Sequence, residues 1–393
     1  PPALELLGEL GWSVVNAWSE VFGPAGTLGR DSRHDVYLTH RLRDALVVLN
    51  PDVPEPVREE ALAALVKDRS VMDRVRANRE VHDLLRDGYQ AEWVDGQGEP
   101  QYATVRYVDF ADSTKNDWLA VSQLWLAGEL HSRRTDVVLF VNGIPLVLAE
   151  FKEPNKSAKA AYDENITDYR DTIPALFVPN GFVICSNGSE AKVGSTYAPW
   201  EYFGDWKVID NDGNRGVVAL DTAIRGTCAQ DRLLDMIENF VAYLERPGGL
   251  IKVVARNHQF LGVNAAIENL HRVRAAGEKR PAGFWPTQGS GKSLSMLWFT
   301  QKVLRQVPGK WTFVMVTDRT ELDTQLHDEF ADAGAIPAEA RVHAINEMFC
   351  NPGFFDKTPA GEVKKLEAEQ KTLNTKIEET MAEWDRLETE LGE

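Results

Sequence analysis

Asp136, Glu150 and Lys152 are side chains of the types, at the spacing, that hydrolyse phosphodiesters. Paired carboxylates are hard oxygen ligands for Mg²⁺, an ion that keeps most of its waters and asks for few protein ligands. The ion lowers the pKa of a water and stabilises charge on a phosphoryl oxygen. A lysine two residues beyond the glutamate can orient the attacking water or offset charge in the transition state. Side chains at i and i+2 share a strand face, so Glu150 and Lys152 point one way and Phe151 the other. On its own, Asp…Glu-x-Lys also fits a hairpin with a surface Asp, Glu and Lys.

The stretch that must position them is Arg134-Thr-Asp-Val-Val-Leu-Phe-Val-Asn-Gly-Ile-Pro-Leu-Val-Leu-Ala-Glu-Phe-Lys152. Two apolar, β-branched runs flank Asn142-Gly143, a hairpin signal. Antiparallel pairing brings Asp136 back to Glu150 and Lys152. A plain two-residue turn pairs 141 with 144, which sets Asp136 opposite Ala149 and points it away from Glu150. The three groups therefore act together only if the loop has an odd count or a strand carries a bulge. A bulge is expected here. Asp136 and Glu150 on opposite faces would refute the site.

A second constellation is Thr287-Gln288-Gly289-Ser290-Gly291-Lys292-Ser293. It matches the later half of a P-loop, where backbone N–H groups cradle phosphates at a helix N-terminus. Lys292 would reach the β- and γ-phosphates of ATP and Ser293 would bind Mg²⁺. Residues 294 to 303 are helical in pattern, as that role requires. The strict motif has Gly where this chain has Pro286. Residues 311 to 316 read as a strand that ends at Thr317-Asp318-Arg319, on the ligand side of a RecA-like sheet. Upstream, Gln259 in Arg256-Asn-His-Gln is placed to read an adenine edge.

Around these motifs the periodicities predict a helix over residues 3–20, with Glu5 or Glu9 as a candidate third acidic group. Ordinary solvated glutamates are the alternative. Two helices are expected over 55–88, split near Asp68-Arg69-Ser70 and capped by Gly88. A strand is expected over 100–110, a helix over 158–171 with Asn165 and Tyr169 on one face, a buried strand over 176–187 and a helix over 229–246. The run Pro247-Gly248-Gly249 is the expected domain boundary. The pattern is an α/β nuclease-like core followed by a second domain. Residues 361–393 are Glu- and Lys-rich, with Val363, Leu366, Leu373, Ile377, Met381, Trp384, Leu387 and Leu391 at helical spacing, which predicts an amphipathic helix.

The chain has 393 residues, 43% hydrophobic and 26% charged, an ordinary globular composition with length for two or more domains. Its net charge of −17 argues against a small basic protein that coats DNA, though not against local basic grooves. Cys185, Cys228 and Cys350 are far apart, so neither a disulfide framework nor a zinc site is implied, and a reducing cytoplasm fits. No apolar run is long enough to cross a membrane, and no signal peptide is visible. The start at Pro1-Pro2 reads as a processed or excerpted chain.

Several segments together resemble the restriction (R) subunit of type I restriction–modification enzymes: Asn116…Gln123, the Arg134–Lys152 stretch, Lys252…Arg256-Asn-His-Gln259, Thr287–Ser293 and Val316-Thr-Asp-Arg-Thr-Glu-Leu-Asp-Thr-Gln-Leu326. The resemblance covers roughly residues 30 to 330. It implies a PD-(D/E)xK endonuclease-like domain (1–246), a truncated RecA-like, superfamily 2 helicase domain (247–360), then the charged helix (361–393). In such proteins the nuclease Asp, Glu and Lys bind metal and cut, here Asp136, Glu150 and Lys152. The family's Gln-x-x-x-Tyr motif corresponds to Asn165-Ile-Thr-Asp-Tyr169, with an amide one methylene shorter. The family's motor continues through a Walker B Asp-Glu box that is not found after residue 330, so little ATP hydrolysis is expected of this piece. Double-stranded DNA and the modification (methyltransferase) and specificity subunits are the implied partners. Cleavage should be sequence-independent, because nothing here reads bases. Two alternatives stand beside this reading: a DNA translocase whose nuclease-like domain only binds DNA, and a non-enzymatic assembly fragment.

Overall fold

The computed structural model describes residues 2–277 and 291–309, with positions 311, 313, 330–331, 349, 361, 363–372 and 374–375 beyond them. The chain forms two compact units, Pro1–Val303 and Leu304–Glu393.

In chain order the first unit contains α1 (Pro2–Glu9), β1 (Ser13–Asn16), α2 (Thr39–Leu49), α3 (Glu55–Val66), α4 (Arg74–Asp87), the β2–β3 hairpin (Tyr89–Val94, Pro100–Val105), β4 (Trp118–Ser122) and the short β5 (Trp125–Ala127) and β6 (Ser132–Arg134). There follow β7 (Val137–Val141), β8 (Ile144–Phe151), a π-helical turn (Ala161–Ile166) running into α5 (Thr167–Thr172), β9 (Phe182–Ser186), β10 (Ala191–Gly194), β11 (Gly204–Asp205), α6 (Ala219–Cys228), α7 (Gln230–Asn239), the β12–β13 hairpin (Val241–Arg246, Gly249–Val254), α8 (Asn257–Ala276) and all but the last three residues of α9 (Lys292–Gln306).

A seven-stranded sheet in the order β1-β4-β7-β8-β9-β10-β11 organises this unit. β1 runs parallel to β4 and β8 parallel to β9; the other pairs are antiparallel. Every residue of β4, β7 and β9 is buried, and β8 is buried until Phe151. Sheet centres covered on both faces read as continuous apolar runs rather than alternation, as these strands do. On one face Leu119, Val138, Phe140, Leu148 and Val183 pack with Ile166, Tyr169, Leu176 and Phe177. The π-turn and α5 are thereby pressed onto β8. Helices α1, α6 and α7 pack on one another and reach β4 and β10.

The central hairpin turns at Asn142 (φ 53°) and Gly143 (φ 77°), the doubly positive φ of a type I′ turn. The pairing then slips: Leu139 faces Val147 but Phe140 faces Pro145, so Leu146 is the extra residue of a bulge. The expected bulge is present, one turn from the hairpin tip.

Several expected elements differ. The helix from residue 3 ends at Glu9, because Gly11 takes φ 87° and Ser13–Asn16 leave as a sheet strand. Apolar residues there serve two elements, which one helical stripe cannot distinguish. The strand over 100–110 stops at Val105. Of residues 176–187 only Phe182–Ser186 are strand, since Pro174–Phe177 form a 3₁₀ turn. The helix over 229–246 ends at Asn239, and Val241–Arg246 form β12. Pro247 and Gly248 make the tip of the β12–β13 hairpin, inside the first unit. The pair over 55–88 forms as α3 and α4, with Asp73 capping the start of α4 and Gly88 (φ 81°) ending it. The strand expected over 311–316 lies outside the described residues except at 311 and 313. Residues 361, 363–372 and 374–375 are helical; the rest of 361–393 lies outside them.

Candidate active site

Carrying the pairing of Val137 with Ala149 one step further sets Asp136 opposite Glu150. Without the bulge Asp136 would face Ala149. The two residues bond reciprocally. The Asp136 N–H donates to Glu150 Oε1 (2.9 Å), and the Phe151 N–H donates to Asp136 Oδ2 (2.8 Å). These amides hold both carboxylates at the mouth of the hairpin.

Glu150 is almost fully buried, at 1% exposure. Burial first, and the like charge of Asp136 second, push its carboxyl well above the usual carboxylate range. Its second oxygen, Oε2, is 3.4 Å from the Tyr169 hydroxyl. Tyr169 has one hydroxyl proton, and its nearer acceptor is the Arg134 carbonyl at 2.8 Å. Asn165 Nδ2 donates to that same hydroxyl (3.1 Å). The π-turn and α5 thus bring Asn165 and Tyr169 onto the glutamate, as a four-residue separation on one helix face allows. Asn165 Oδ1 is buried, and among the described residues it has no hydrogen-bond partner.

Lys152 leaves the end of β8 with its N–H bonded to the Ser186 carbonyl (2.8 Å). Its ammonium contacts Glu164 Oε2 on the π-turn (2.6 Å). That hydrogen bond holds the Glu164 carboxyl below its ordinary range. Glu164 is a site neighbour that sequence reasoning missed, since nothing in the spacing links it to Lys152. Gln123 is another. Its N–H donates to the Asp136 carbonyl (3.0 Å) and its Nε2 is 3.4 Å from Asp136 Oδ1. Gln123 adopts φ 57°, uncommon for a residue with a side chain and typical of constrained sites. Of the two candidates for a third acid, Glu9 pairs with Arg225 of α6 (2.9 Å) and Glu5 is exposed on α1. Among the described residues no group of three or more Asp, Glu, His or Cys is arranged to hold a metal ion.

The donors fit Mg²⁺. Two hard oxygen ligands meet, one buried where a cation would favour its charged form, and Mg²⁺ needs no more from protein when substrate phosphate and waters complete its shell.

Of the phosphate loop, Thr287, Gln288, Gly289 and Ser290 lie outside the described residues. Gly291 takes φ 76°. Lys292 is exposed and opens α9, with Ser293 next to it. Gln259 reaches this loop. Its Oε1 accepts the Arg256 N–H (2.9 Å) and its Nε2 donates to the Gly291 carbonyl (3.1 Å). A Cβ on Gly291 would lie 2.6 Å from that Nε2. Gln259 therefore ties the start of α8 to the end of the loop.

A family profile described as type I restriction enzyme R protein N terminus matches residues 1–202, more than half of the chain. The chain belongs to this family. A SWI2/SNF2 ATPase profile matches residues 258–384, so an ATPase-like region follows the R protein N terminus. That match runs past residue 360, where the sequence reading ended the motor portion. The chain is similar to the type I restriction enzyme HindI endonuclease subunit of Haemophilus influenzae, 34% identical over 339 residues, 84% of this chain and 32% of that protein. It is also similar to the putative MjaIXP endonuclease subunit of Methanocaldococcus jannaschii, 28% identical over 364 residues, 84% of this chain and 33% of that protein. A Staphylococcus aureus type I endonuclease subunit is 23% identical over 272 residues, 69% of this chain and 27% of that protein. The chain thus spans about a third of the length of the first two relatives. Among the described residues of this R-protein N terminus, no helix is long and apolar enough to cross a membrane.

Proposed function

We propose that the N-terminal region matched by the R-protein profile, residues 1–202, carries a Mg²⁺-dependent endonuclease of the PD-(D/E)xK kind that cuts double-stranded DNA without reading its sequence. In this reading the region matched by the ATPase profile, from residue 258, begins an ATP-binding, RecA-like motor, and the charged segment from residue 361 contributes an amphipathic helix. In the whole enzyme, cleavage is coupled to ATP-driven translocation, and modification and specificity subunits choose the site. The single observation that carries the nuclease reading is the bulge-set meeting of Asp136 and Glu150.

Asp136 and Glu150 hold the metal, which supplies Lewis acidity toward the scissile phosphate when bound. Tyr169 sits against Glu150 with its hydroxyl tied to the Arg134 carbonyl, and Asn165 donates to that hydroxyl; both are positioning residues. Lys152 supplies positive charge beside the carboxylates. Its partner Glu164 is half-exposed. Water screens the Glu164 side of this pair, so the ammonium is not bound to it to the exclusion of a phosphate. Lys292 and Ser293 take the nucleotide phosphates and their Mg²⁺ at the start of α9.

The test is nicking of supercoiled plasmid by the chain with Mg²⁺. Asp136→Ala and Lys152→Ala should each reduce it by at least about a hundredfold, the scale of losing one strong electrostatic contributor. Nicking at the wild-type rate would remove those residues from the site.

A further inference from the structure

Beside the site the chain builds a ladder of alternating aromatic and cationic groups. The Arg134 guanidinium carbon lies 4.3 Å from the Trp18 ring centre and 5.8 Å from that of Trp125, and the Arg33 carbon lies 5.0 Å from Trp125. Neighbouring arginines are neutralised, Arg30 by Glu20 and Arg133 by Asp168. Arg33 and Arg134 are not. Among the described residues neither guanidinium has a carboxylate or hydrogen-bond partner. In a chain of net charge −17 that is a marked departure.

The backbone that carries the ladder is tied in place. Arg30 and Glu20 form an ion pair whose side chains are 1% and 4% exposed, and Arg30 also donates to the Trp125 carbonyl (2.6 Å). The Ala127 N–H donates to the Arg33 carbonyl, and the Ala17 N–H to the Ser122 carbonyl, both at 2.8 Å. Yet Trp18 is 58% exposed. The ladder is also wired to the carboxylates. The Arg134 carbonyl accepts the Tyr169 hydroxyl, Asp136 lies two residues beyond Arg134, and Trp125 lies two beyond Gln123, which faces Asp136.

We propose that Trp18, Arg33, Trp125 and Arg134 form a clamp for the sugar–phosphate backbone of the DNA strand that enters the Asp136–Glu150 site. A guanidinium held against an aromatic face keeps its N–H edge free for a phosphate, which it matches in two-pronged fashion. The exposed Trp18 face offers a platform to a base or sugar. The clamp rests on the nuclease reading for the identity of the strand.

The test uses the full chain in EDTA, so that no cutting occurs, with a labelled duplex and fluorescence anisotropy across a salt series. Each lost phosphate contact lowers the slope of log affinity against log salt by about one. Arg33→Ala should therefore lower it by about one and Arg33→Ala with Arg134→Ala by about two. Trp18→Ala should weaken binding to a single strand by roughly tenfold. Arg43→Ala, on an exposed helix pair with Glu59, should leave the slope unchanged. Melting temperatures identify any variant that unfolds, and Arg33→Ala, at an exposed loop position, carries the test alone if the double variant does. An unchanged slope in Arg33→Ala, or no measurable duplex binding by the wild type, overturns the clamp. Absence of Mg²⁺-dependent plasmid nicking, with the slope changes intact, sinks the hydrolytic reading and leaves the clamp standing.

Discussion

Glu150 combines near-total burial with a like charge across the hairpin, an arrangement that favours the protonated carboxyl. Without metal this costs stability. The folded-state pKa is raised above the ordinary 4.5, so the group's contribution is full below that pH and is lost as pH rises through the folded value. In EDTA at neutral pH, Glu150→Gln should raise the melting temperature by roughly 2–4 °C, the shift that about 1 kcal/mol gives in a domain of this size. It should also flatten the decline with rising pH. Adding Mg²⁺ should raise the melting temperature of the wild type and not of the variant, because a ligand stabilises only the state that binds it. Equal responses of the two proteins to Mg²⁺ in a melting series would remove Glu150 from the metal site. Lys152 and Glu164 show the limit of reading single residues: the pair forms because β8 and the π-turn meet, not because of their separation.

At the scale of elements, the hairpin β7–β8 decides the site. Its turn is anchored by side chain as well as by φ. Asn142 Nδ2 donates to the Tyr107 carbonyl and Asn116 Oδ1, and its Oδ1 accepts the Asp117 N–H. A Cβ on Gly143 would stand 2.4 Å from the Leu38 carbonyl oxygen, at a φ of 77°. Gly143→Ala should therefore cost more than the ~1–2 kcal/mol of a left-handed conformation alone. Chemical denaturation should show the loss as a lower midpoint with an unchanged slope. A midpoint within error of wild type would mean that the turn is not held as described. The bulge at Leu146 matters for a different reason. It re-phases β8 beyond Leu146, so that Glu150 rather than Ala149 stands opposite Asp136.

At the scale of the whole first unit, the β12–β13 hairpin is locked to the core by a buried polar cluster. Lys252 Nζ donates to the Asn180 carbonyl (2.5 Å), and the Tyr243 hydroxyl donates to Asn78 Oδ1 (2.7 Å). Burial holds the Lys252 ammonium well below the usual lysine range. Between that depressed value and the unfolded value of 10.5 the unfolded chain binds more protons, so stability rises with pH through this window and falls as pH drops. Lys252→Met should stabilise the protein at neutral pH and flatten that rise. The Asn180 carbonyl keeps Asn78 Nδ2 as a donor, so no buried acceptor is orphaned. A variant melting below the wild type at pH 7 would show that the ammonium is compensated inside the fold. The same hairpin makes Pro247-Gly248-Gly249 a tip within the unit, although its composition resembles a linker.

The order and type of the residues were enough to pick out the Asn142-Gly143 hairpin, the pair α3 and α4 with its Gly88 cap, and Asp136, Glu150 and Lys152 as a set. Each depends on local rules: positive φ at a tight turn, 3.6-residue periodicity, and alternation along a strand. The need for a bulge was also legible, because facing residues in a two-stranded ribbon obey parity. Only the folded chain decided where the bulge falls, at Leu146, and that Glu164 and Gln123 stand beside the carboxylates. It likewise decided that Ser13–Asn16 and Val241–Arg246 are strands rather than helical continuations. The reason is common to all of these. A strand edge, a bulge position and a side-chain neighbour depend on which distant segment supplies the partner. No pattern within one segment of this chain encodes that partner.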